Sequence, residues 1–260
     1  MINTIKNTVK NLFKNYWHTL VFFGLSGILG GFFVGLYLMD GYPEAIRNEI
    51  YAQGLNDMLI AVISAMQAAV YGILLGAIGI FLGEKTGLFK NERHIEQKPL
   101  LAAGAVALVG GLAMILFDLS WFGRVSEAIM DSYAAKPTVP YIIGSVIYGG
   151  VIEEVMLRLF MMTLIAFILL KLCAKRDDKC KPLIFTVANI ISSLLFAAGH
   201  LPATALLLGI TPVILFRCFL LNGGIGFLFG WLYQRYGLRY AMIAHAGAHI
   251  VSKIIWIIFI

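Results

Sequence analysis

The sequence predicts an all-α fold, a polytopic transmembrane helix bundle of about seven to eight spans. Three observations carry this. Of the 260 residues, 60% are hydrophobic and only 13% are charged, whereas soluble domains run near a quarter charged. Mean hydropathy is +0.86. The apolar residues also fall into separate runs, each near the roughly 20 helical residues needed to cross a hydrocarbon core.

The first run, 17–39, follows a Lys-bearing N-terminus. It is longer than the apolar region of a signal peptide, and no small-residue cleavage site follows it closely, so it is expected to remain as a span. The next runs are 58–83, 100–117, 141–170, 183–200, 212–236 and 238–260. The stretch 201–211 reads as a linker or a short half-buried helix that would count towards an eighth span. The expected organisation is a cytoplasmic N-terminal segment (1–16), N-terminal transmembrane helices (17–140) and a C-terminal transmembrane core (141–260). No polar stretch is long enough for a separate soluble domain.

The loops set the orientation. Lys6, Lys10 and Lys14, then Lys85, Lys90, Arg93 and Lys98, then Lys171, Lys175, Arg176, Lys179 and Lys181, and finally Arg235 and Arg239 alternate correctly to lie on one side. They hold 14 of the 20 basic residues, against Arg47, Arg124 and Lys136 opposite. This bias places the N-terminus in the cytoplasm of a multi-pass protein of the cell membrane. With no basic domain, the net charge of +6 is an orientation signal. The lipid bilayer is the expected partner and nucleic acid is not.

Cys173, Cys180 and Cys218 are an odd count without CxxC spacing, which argues against a disulfide framework. Gly27-x3-Gly31, Gly31-x3-Gly35, Gly72-x3-Gly76 and Gly226-x3-Gly230 have the spacing that lets helix backbones approach. They read as packing within the bundle. No internal repeat is evident, which weighs against repeat-built transporters.

The chemistry concentrates in three later runs. Glu153, Glu154 and Arg158 are the only charges between Tyr141 and Leu170. Ionisable groups at such depth are costly and usually mark a site. On an α-helix Glu154 and Arg158 have the favourable acid-first i,i+4 order for an ion pair. Glu153 lies about 100° around from Glu154. The expected division is a supporting Glu154–Arg158 pair, with Glu153 facing a wet cavity as general base. Phe196-Ala-Ala-Gly199-His200 ends the fifth run. His245-Ala-Gly-Ala-His249 puts two imidazoles on one helix face. That is the spacing of helical zinc sites, but without the intervening Glu of HExxH. Lys253 and Arg217 are expected to snorkel. His18 and His94 read as incidental.

The ordered set Glu153-Glu154-x3-Arg158, Phe196-x3-His200 and His245-x3-His249 resembles the CPBP family, the CAAX proteases and bacteriocin-processing proteins also called Abi. The resemblance covers roughly residues 141–255. It implies an intramembrane endopeptidase acting on a membrane-associated peptide or protein, such as a leader peptide or a prenylated tail. By position, Glu153 resembles the water-activating glutamate. His200 and His245 resemble the histidines that polarise water or stabilise the oxyanion, and Glu154 and Arg158 the supporting pair. His249 stands where the family often has Asn. The expectation is that no cofactor is required; were a divalent metal such as zinc present, its ligands would be His200, His245 and His249. Two other readings use the same residues: a non-proteolytic scaffold or bacteriocin-immunity protein of the same fold, and a proton-coupled transporter with a Glu–His relay. Span directions further predict a cavity that opens towards the cytoplasm.

Overall fold

The computed structural model describes residues 2–90, 94–173 and 180–260, with side chains from residue 14 onward. Arg93, Lys175, Arg176 and Lys179, and the side chains of Lys6 and Lys10, lie outside the described residues. Among those described, all regular structure is helical. Seven helices are long and apolar enough to cross a membrane: Lys14–Gly41, Asp57–Thr86, Gln97–Val125, Val139–Leu172, Lys181–Leu208, Pro212–Tyr236 and Leu238–Phe259. The short helix Leu201–Leu208 continues the fifth span past a break at His200 rather than adding an eighth.

The fourth span is the hub. It packs against the first, second, fifth, sixth and seventh, while the third packs on the seventh and sixth. Its Val155, Leu159, Met162 and Ala166 are fully buried among Phe23, Ile80, Ala188, Phe229, Leu232 and Ala241. Large apolar side chains such as Leu25, Met66 and Leu101 stay exposed on the outside of the bundle. Lipid tails are as apolar as they are, so close packing must hold such helices together. The small residues supply it: a methyl added at Gly31 would stand 2.5 Å from the Ser64 carbonyl oxygen on the second span. The glycine spacings therefore serve packing inside the bundle, as anticipated.

Three expectations are corrected here. The fourth span is not a regular α-helix where it carries the motif. Ser145–Glu153 and Val155–Met162 are π-helical, separated only by Glu154. Such i→i+5 windings are usually single turns and frequently mark functional sites. Side-chain hydroxyls reinforce carbonyls of this stretch: Ser192 Oγ donates to Leu157 O at 2.6 Å and Thr163 Oγ1 to Arg158 O at 3.2 Å. The third span does not stop at residue 117 but runs to Val125 through a π-turn, Asp118–Phe122. A charged residue looks like an end of the run, yet Asp118 is fully buried because Arg217 of the sixth span pairs with it through Nε and Nη2, each at 2.5 Å. Arg217 therefore does not snorkel. The three cysteines are free, with Cys218 buried.

Candidate active site

The site grows from the fourth span's fully buried Glu154. Its Oε1 lies 2.9 Å from Arg158 Nη1 and 2.7 Å from His245 Nδ1. The Arg158 contact is off the hydrogen-bonding direction, leaving Nη1 without a directed partner, while Nη2 donates to Gly226 O at 2.8 Å. The guanidinium also sits over the rings of Phe196 and Phe229, 4.6 and 5.6 Å from their centres, and cation–π attraction adds to its hold there. The expected Glu154–Arg158 pair is thus present, and it extends one step further, to His245.

An ionised carboxylate only accepts hydrogen bonds, so His245 Nδ1 is the donor to Glu154. Orienting an imidazole through one nitrogen sets what the other can do. That other nitrogen, Nε2, is 3.7 Å from Glu153 Oε2. Glu153 is only partly buried, with its side chain 19% exposed. The two adjacent glutamates therefore approach opposite nitrogens of one imidazole. His245 is further fixed by stacking on Phe229 at 4.5 Å and on His249 at 5.0 Å.

His200 caps the break in the fifth span. Its Nδ1 is 2.9 Å from Phe196 O and its ring stands edge-on to Phe196 at 4.6 Å. Phe196 in turn lies edge-on to His245 at 5.8 Å. The three motif helices thus bring Glu153, His200, His245 and His249 into one neighbourhood around Phe196.

Several neighbours were missed in the sequence. Lys253 does not snorkel: it is 4% exposed, with Nζ 3.3 Å from His249 Nδ1 and 4.3 Å from the centre of the Tyr141 ring. The fourth span's wall covers it, which hydropathy alone does not reveal. Gly149 packs against the paired histidines. A methyl there would stand 2.8 Å from His249 Nε2 and 3.4 Å from His245 Nε2. Gly149→Ala should therefore displace the His249 ring and cut activity on the order of a hundredfold, the size of a misplacement near 1 Å. Thermal unfolding in detergent alongside a cleavage assay checks this: the midpoint should move little.

Among the described residues no group of three or more His, Cys, Asp or Glu side chains converges as a metal site requires. Three Nδ1 atoms are engaged, His245 with Glu154, His200 with a helix carbonyl and His249 with an ammonium, so any ligation would fall to their Nε2 atoms.

A helix-bundle membrane protein with a buried Arg–Glu–His relay beside a second glutamate is the class that fold and site define. The family model described as Type II CAAX prenyl endopeptidase Rce1-like matches residues 135–251, just under half of the chain. At family level the match supports a CAAX-type intramembrane protease. Neither the curated proteins nor the solved structures gave a match.

Proposed function

We propose that the chain hydrolyses a peptide bond of a membrane-associated substrate with a water activated by Glu153, and that no metal ion is required. The observation that supports this most is His245 held between two carboxylates, with Glu154 at 2.7 Å on one nitrogen and Glu153 at 3.7 Å on the other. A separation of 3.7 Å is too long for a hydrogen bond, and a water lying off the line between them reaches both. Glu153 takes a proton from that water, which His200 helps to hold. The hydroxide adds to the scissile carbonyl carbon. His245, as imidazolium, and His249 donate to the oxyanion, a contribution often worth several kcal/mol. The C–N bond then breaks, and Glu153 returns its proton to the leaving amine. Arg158 offsets the Glu154 charge throughout.

Substrates of the family's named kind, prenylated C-terminal tails, are one class; leader peptides and other tethered peptides share the same chemistry. The Lys and Arg asymmetry supports a cytoplasmic N-terminus and a site reached from that side. The test compares membranes carrying the wild-type and Glu153→Gln proteins. A peptide that accumulates uncleaved with Glu153→Gln is expected. Identical peptide populations in the two membranes would remove the proposal.

A further inference from the structure

Lys253 lies one helical turn beyond His249 on the seventh span and is buried. None of the ion pairs between described residues gives it a carboxylate partner. Its close polar contact is His249 Nδ1 at 3.3 Å, and the Tyr141 ring covers the ammonium at 4.3 Å. Buried cations are rare in a membrane and need a reason to be there. An ammonium has three donors and no acceptor, so at Nδ1 it can only donate. Nδ1 must then offer a lone pair, and the ring proton sits on Nε2. Both His249 Nε2 and His245 Nε2 face the same gap beside Gly149, where a methyl would stand 2.8 and 3.4 Å from them.

We infer that Lys253 is a positioning residue that holds His249 in its neutral Nε2–H form and aims that donor at the reacting carbonyl. The second half of this rests on the protease reading; the tautomer does not. A neutral imidazole free to exchange tautomers would present a lone pair to the oxyanion part of the time. The lysine removes that unproductive form without touching substrate.

The test is the tautomer itself. The full-length protein, with 15N-labelled imidazoles and reconstituted in lipid nanodiscs, gives the His249 resonances by difference from His249→Asn. A preference of roughly tenfold or more for Nε2–H is expected, within what a charge-assisted hydrogen bond supports. Lys253→Met should bring the Nδ1–H form to a resolved population, and Lys253→Arg should suppress it again. A proton on Nδ1 of wild-type His249, or populations unchanged in Lys253→Met, overturns the inference. The wild-type spectrum decides even if Lys253→Met fails to fold. With a cleaved peptide in hand, Lys253→Met should lower kcat tenfold to a hundredfold, on the order of a misaligned donor, with KM little changed. It should cost nothing further in the His249→Asn background; equal losses in both backgrounds mean a structural role and also overturn it. If Glu153→Gln still cleaves while the tautomer result holds, the protease mechanism fails and the positioning of His249 stands.

Discussion

Arg158→Ala should lower stability by roughly 3–5 kcal/mol, the cost of breaking a buried pair, and abolish cleavage at the same time. Arg158 is 1% exposed and does three things at once. It faces Glu154 at 2.9 Å, donates to the Gly226 carbonyl of the sixth span at 2.8 Å and fills the space against Phe196 and Phe229. Without it, the Glu154 carboxylate keeps only His245, and its Oε2 already has no partner. The carbonyl of Gly226 loses its side-chain donor as well. Arg158→Lys should recover little, because a compact ammonium lacks the planar fork that reaches both Glu154 and Gly226. Thermal midpoints in detergent, measured with cleavage on the same preparations, check both halves. An inactive Arg158→Ala with an unchanged midpoint would assign Arg158 to the chemistry instead.

Asp118→Ala should be the second most damaging substitution to stability, at about 3 kcal/mol, although it lies outside the catalytic motifs. It leaves the Arg217 guanidinium, 20% exposed, and the Tyr133 hydroxyl without their shared acceptor. Tyr133 lies between spans; its burial, and then the Asp118 charge, push the phenol well above its ordinary range, so it remains a donor to Asp118 at 2.8 Å. Replacing both members of the pair, Asp118→Leu with Arg217→Leu, should regain most of the loss, since apolar replacement of a buried pair is often neutral or better. The same thermal midpoints decide it. A double variant as unstable as Asp118→Ala alone would show that the pair's geometry matters beyond its charges.

The number and order of the spans were legible because lipid imposes one rule on every stretch: apolar side chains over about 20 residues. Glu153, Glu154, Arg158, His200, His245 and His249 were conspicuous for the converse reason, as polar groups where such groups are costly. What escaped was pairing between distant positions. Asp118 read as the end of a run because its partner, Arg217, is 99 residues away. Lys253 read as a snorkelling end residue because nothing local shows Tyr141 closing over it. The link from Glu154 to His245 crosses 91 residues and likewise leaves no spacing to detect. The winding of the fourth span escaped too. An α-helical wheel joins Glu154 to Arg158 correctly but gives no sign of the π stretches on either side of Glu154.

That winding makes the site depend on chain length. Around an α-helix each residue added or removed turns everything beyond it by about 100°, and a π stretch differs from an α one by the step its ladder takes, i+5 in place of i+4. Losing a single residue between Gly149 and Arg158 would let the stretch relax into the commoner helix. Gly149 would then no longer lie beneath the paired imidazoles when Arg158 faces the sixth span. Drift through this segment should therefore proceed by exchange of letters at fixed count. Insertions and deletions should be confined to the connections between spans, even where the inserted residue is as apolar as its neighbours.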